Sequence, residues 1–202
     1  MKNKCLIDCE PFIKEKLGEK KTKEIVESAY KRLEQLIDEN KDEIKEVKAL
    51  TQKEIYPSIA LYEAILKTGI EKEKAVDIMD YAICKKTEPG AKSMQMMMKI
   101  PFVYKIYPAM FKSVAKKQFG EKAGFKAKYY DTPKTQVRFD MTHCLYCDVC
   151  NKYNCPEIIK CFCHTDDVNN ANLHPNLFWA RTKIMGDGAD CCDFNLYVKS
   201  DK

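Results

Sequence analysis

The chain changes its hydrophobic period near Gly120, and that change constrains the fold more than any other feature. Before it, apolar residues recur at helical spacing; after it, they alternate. Ile25, Val26, Ala29, Tyr30, Leu33, Leu36 and Ile37 line one side of a helix, with Lys and Glu between them. Thr51 and Glu54 have the spacing of a capping box, which predicts a helix from there to about Gly69 with Pro57 in its early turn. Ala75, Ile78, Met79, Ala82 and Ile83 form another apolar face, expected to stop near Pro89-Gly90. A further helix is expected over much of 94–117, its methionines filling gaps in the packing.

Beyond Gly120, 126–130 and 135–141 read as strands across a turn at Asp131-Thr132-Pro133. Short helices are expected from Tyr146 and from Pro156. A strand over 177–185, a turn at Gly186-Asp187-Gly188 and a last strand over 192–198 complete the pattern. Helices first and strands last give an α+β fold. The N-terminal helical half is expected to pack on a C-terminal, mostly antiparallel sheet with short helices. The division expected is a helical region over 1–120 and a cysteine-rich α+β region over 121–202 that carries the site, the two forming one compact unit.

With 45% hydrophobic and 32% charged residues, the chain of 202 has enough apolar material for a core and a well-solvated surface. No stretch approaches eighteen apolar residues without a charge, so no membrane span is expected. The start, MKNKCLIDCEPFIKEK, lacks the apolar segment of a signal peptide, and a cytoplasmic location is expected. Nine lysines against one acid, Glu121, fall between Lys92 and Lys128. Such a stretch attracts anions or a membrane surface, although a solvated helix face is the simpler reading. Arginine is missing from it, so no nucleic acid is expected as a partner.

Eleven cysteines are present, eight of them in the last 59 residues. An odd count in a chain of this length fits reduced thiols better than a disulfide framework. Cys144, Cys147, Cys150 and Cys155-Pro156 come within one residue of a bacterial ferredoxin run. Zinc or an iron–sulfur cluster held by those four thiols is thus one reading. The leading expectation is no cofactor.

Three segments carry a resemblance: FDMTHCLYC, CFCHTDD and HPNLFWARTKIMGDGADCCDF. Their order resembles the L-2-amino-thiazoline-4-carboxylic acid hydrolase family over roughly Phe139 to Phe194. That family carries Phe-Asn/Asp-x-Thr-Arg-Cys, Phe-Cys-x-x-Asp, Asn-Pro-Gly-Leu followed by Arg-Thr, and a final Gly-x-x-x-Cys-Asp-Phe. The resemblance places Cys144, the Cys163–Asp166 pair, Arg181-Thr182 and Cys192-Asp193-Phe194 at the family positions. His143 stands where Arg is usual, and His174-Pro175-Asn176-Leu177 replaces Asn-Pro-Gly-Leu. Cys147, Cys150 and Cys155 are additions.

The resemblance implies a small-molecule substrate, a cyclic amidine-like thiazoline opened to a carbamoyl-cysteine. A cysteine thiolate suits the attack, since nearby positive charge lowers its pKa. Cys163 is the expected nucleophile, with Cys144 and Cys192 lining the pocket. Asp166, three residues on, would share a helix face with Cys163, hold the amidinium and handle protons. Arg181 would clamp the carboxylate, with Thr182 and Asp193 as further substrate contacts. Arg181 paired with Asp193 is the purely structural reading. The ending Gly-x-x-x-Cys-x-Phe is also similar to 4-vinyl reductase-type domains, which would bind a small molecule without chemistry.

Overall fold

In the computed structural model, which describes residues 2–199, the helical period of the N-terminal half becomes α1 (Lys4–Leu17), α2 (Glu19–Glu39), α3 (Lys45–Leu50), α4 (Tyr56–Lys67) and α5 (Lys72–Met98). After α6 (Val103–Gln118) come the strands β1 (Lys126–Tyr129) and β2 (Gln136–His143). The helices α7 (Leu145–Lys152) and α8 (Ile159–Asn170) lead to β3 (Leu177–Ala180) and β4 (Cys192–Val198). The fold is α+β, as the change of period predicts.

The chain gathers into two units, and neither is continuous. One comprises Met1–Lys86 with Asp148–Phe162; the other comprises Thr87–Cys147 with Cys163–Lys202. In the first, α4 is the central helix: Tyr56, Ile59, Ala60, Leu61, Tyr62, Ala64 and Ile65 are all buried, so it is apolar nearly all round. Arg32 on α2 reaches Glu63 on α4 at 2.7 Å. The Asn3 side chain accepts the Leu6 N–H at 3.2 Å and so caps α1. The 148–162 segment joins this unit through Tyr62, whose hydroxyl donates to Glu157 at 2.5 Å, and through Asn40, which donates to the Tyr153 hydroxyl at 2.6 Å.

In the second unit the sheet order is β1-β2-β4-β3, antiparallel throughout. Phe139 lies opposite both Tyr129 and Phe194, and the three rings stack at 4.9 and 4.8 Å. Val137, Phe139, Met141, Cys192, Phe194 and Leu196 make one buried face. From α6, Phe111 meets Phe139 and Trp179 on that face, with ring centroids 6.5 and 6.1 Å apart.

Local signals were overridden at four places. Thr51 does not cap a helix: α3 has begun by Lys45, and Thr51 opens a π-helical turn over Thr51–Ile55, its hydroxyl donating to Glu43 at 2.8 Å. Pro89 does not end α5, which continues and buries Ala91 and Met98. The helix expected over 94–117 is interrupted instead near Pro101, where Phe102 takes a positive φ of 67° before α6 starts. The strand expected over 177–185 ends at Ala180.

Candidate active site

The second unit brings the residues of the three motif segments together. Cys144 follows the last residue of β2 and precedes the first of α7. It therefore sits where helix N–H groups are unpaired and where the helix dipole favours a negative charge. Its thiol accepts a hydrogen bond from the Cys147 thiol and, more weakly, from the backbone N–H groups of Cys147 and Tyr146. The Cys147 bond does most to hold the Cys144 pKa below the ordinary thiol value, against the opposing effect of burial. The same bond raises Cys147, with burial adding to it.

Cys163 lies on α8 and Cys192 at the start of β4. Burial pushes the Cys163 thiol up to about 12, helped by the charges of Cys192, Asp166 and Cys144 and opposed by Arg181. Burial also raises Cys192, to about 11, although its sulfur accepts the Met185 N–H at 3.2 Å. The titration of each of these thiols responds to Cys144, so the three family cysteines form one electrostatic cluster. Within it, Cys144 is the thiol whose surroundings favour the thiolate.

Asp166 belongs to the same cluster. Dense packing around its carboxyl raises the pKa to about 7, with Arg181 pulling it down and Asp167 pushing it up. Its side chain is still 38% exposed, so water offsets part of that burial. Arg181 donates to Asp166 at 3.2 Å, to Asp167 at 2.5 Å and to the Cys163 carbonyl at 2.9 Å. With its side chain only 2% exposed, the guanidinium is committed to these partners inside the unit.

Asp193 does not pair with Arg181. It accepts the Thr182 N–H at 2.7 Å, the Thr182 hydroxyl at 2.6 Å and the Lys183 N–H at 2.6 Å. These bonds satisfy the backbone where the chain leaves β3, which explains why that strand is short. Thr182 and Asp193, expected as substrate contacts, are thus placed against one another.

Of the four cysteines in the ferredoxin-like run, Cys144 and Cys147 belong to the second unit, and Cys150 and Cys155 to the first. Cys150 is fully buried, and the Cys155 thiol donates to the Cys150 carbonyl at 3.4 Å. Among the described residues, no three His, Cys, Asp or Glu side chains are arranged to hold a metal ion.

Two residues of the cluster escaped the sequence reading. The four-cysteine run marks Cys147 as a possible metal ligand, whereas the structure makes it the donor to Cys144; the Cys-x-x-Cys spacing at a helix start is its signal. Asp167 lies outside the motif positions, yet it joins Arg181 to Trp179, whose indole N–H donates to it at 2.8 Å.

An α+β protein with a thiol–carboxyl cluster at the meeting of β2, α7, α8 and β4 is the class that fold and geometry define. The family model for L-2-amino-thiazoline-4-carboxylic acid hydrolase matches residues 48–196, and the chain belongs to that family. The match extends upstream of the motif segments into the helices, and it supports hydrolase chemistry in general. No curated protein matches the chain. Among the described residues no helix is long and apolar enough to cross a membrane.

Proposed function

We propose that the protein opens a cyclic amidine of the aminothiazoline-carboxylate type, with Cys144 as the nucleophile. The observation that carries this reading is the contrast among the family cysteines. Cys144 is stabilised as the thiolate at the start of α7, while burial holds Cys163 and Cys192 as thiols.

The Cys144 thiolate attacks the ring carbon between sulfur and nitrogen. Its electron pair forms the new C–S bond, and the ring C–S bond breaks with the pair leaving on the substrate sulfur, which takes up a proton. The enzyme then holds an isothiouronium adduct. Water adds to the same carbon and loses both its protons through Asp166, one making good the proton taken by the substrate sulfur and one passing to solvent; the Cys144 thiolate leaves, and the carbamoyl product is released. Asp166 as the carboxylate holds the amidinium and takes the protons from water; a pKa raised toward neutrality suits that exchange. Arg181 is a positioning residue that holds Asp166 and Asp167 on α8, and the bonds from Thr182 and Lys183 to Asp193 fix the loop after β3. Cys163 and Cys192 line the site as neutral thiols.

The test is turnover of 2-amino-thiazoline-4-carboxylate by the wild type and by Cys144→Ser and Cys163→Ser. The reading expects loss of about a thousandfold or more in Cys144→Ser and less than about tenfold in Cys163→Ser. The reverse order would return the nucleophile to Cys163, and tight binding without product by the wild type would favour a binding domain.

A further inference from the structure

We propose that α6 and the turn before it form a docking surface for an anionic lipid bilayer. The face of α6 carrying Tyr107, Phe111 and Ala115 is turned inward, and Phe111 packs on the sheet. The adjoining flank, about 100° round the helix, is apolar as well, and it is exposed. Phe102, Ile106, Met110 and Val114 follow one another at every fourth residue, with 70%, 54%, 48% and 50% of their surface in solvent. Ile100 in the preceding turn is 55% exposed. Isolated exposed apolar residues are ordinary, but a contiguous row of them along one helix marks an interaction surface.

Backbone geometry singles out the leading residue. Phe102 has φ 67°, a left-handed conformation that costs a non-glycine residue about 1 kcal/mol or more. The chain thus holds a large aromatic ring at the tip of the row, in strained backbone and largely exposed.

Charge selects the occupant. Lys99, Lys105, Lys116 and Lys117 are exposed around the row, within the stretch of nine lysines and one acid. A helix with an apolar stripe flanked by lysines lies in a bilayer interface, apolar side down, with its ammonium groups among anionic headgroups. A second copy of the chain fits less well, because a symmetric pairing through α6 would bring two sets of lysines together. A polyanion such as nucleic acid would use the lysines but leave the apolar row in water.

The experiment sediments the full chain with vesicles of phosphatidylcholine alone or with about 30% phosphatidylglycerol. Partition at least about tenfold stronger on the anionic vesicles is expected, falling about tenfold between 0.1 and 0.5 M salt. Ile106→Glu with Met110→Glu, both at exposed positions, should reduce partition about tenfold or more with the circular dichroism spectrum unchanged. Lys99→Gln with Lys105→Gln and Lys117→Gln should remove the salt-sensitive part. Absence of partition, equal partition on both vesicles, or binding indifferent to the Ile106 and Met110 changes would overturn the proposal. A wild-type dimer that the Ile106 and Met110 changes dissociate, without vesicle binding, would assign the face to a second copy instead.

Discussion

Arg181 and Asp167 are joined at 2.5 Å, and Asp167 also holds the Trp179 indole, so one carboxylate ties the end of β3 to α8. The guanidinium is buried, while the Asp167 side chain is 46% exposed. Arg181→Met would leave Asp166 and Asp167 without their cation. We expect a loss of about 2–4 kcal/mol in urea denaturation, near the lower end for broken buried pairs because water reaches both acids. Asp167→Asn keeps the shape and should cost only about 1 kcal/mol.

Asp166 has opposite pH consequences for stability and for activity. Its pKa is raised in the fold, to about 7. Between the unfolded value of about 4 and the folded one, the native state keeps a proton that the unfolded chain has lost. Its contribution to stability is therefore full below that window, falls as pH rises through it, and stays flat above. Turnover needs the carboxylate and should rise through the same region. A kcat/KM profile from pH 5.5 to 9 should show this limb in the wild type and lose it in Asp166→Asn; a limb that survives the substitution would belong to another group.

Gly124 positions the start of α7 indirectly. It has φ 84°, and a Cβ there would stand 3.0 Å from Leu145 Cδ1 and 3.3 Å from Leu145 Cβ. Leu145 is the residue after Cys144. Gly124→Ala should cost about 1–2 kcal/mol from strain and crowding. It should also lower kcat by displacing the helix start. A thermal melt and a turnover assay check the two effects separately, and an unchanged kcat in a destabilised variant would detach Gly124 from the site.

What was legible in the sequence followed from period. The Ile25–Ile37 face became α2, and the alternation over 192–198 became β4 in register with β2. What failed were local stop and start signals outweighed by burial. Pro89 is a helix breaker by itself, yet the helix that contains it continues and buries Ala91 and Met98. Thr51 has a cap's spacing, but its hydroxyl is taken by Glu43, and α3 already runs up to it from Lys45. In the site, the motifs named the cysteines but not their protonation. Cys144, Cys163 and Cys192 are the same residue type, and only the helix start, the Cys147 thiol and the depth of packing distinguish them. Nor could the sequence show that Arg181 points into α8 toward Asp166 and Asp167 while Asp193 is taken by the Thr182 and Lys183 backbone.

The most direct measurement of the central claim is the pH-dependent rate of iodoacetamide labelling at each cysteine, read by peptide mass spectrometry beside residual activity. Cys144 should label first, with a midpoint below the ordinary thiol value of about 8.5, and activity should fall in step with its modification. Cys163 and Cys192 should react slowly until well above pH 9. Labelling of Cys163 ahead of Cys144, or full activity after Cys144 is modified, would contradict the assignment of Cys144 as the nucleophile.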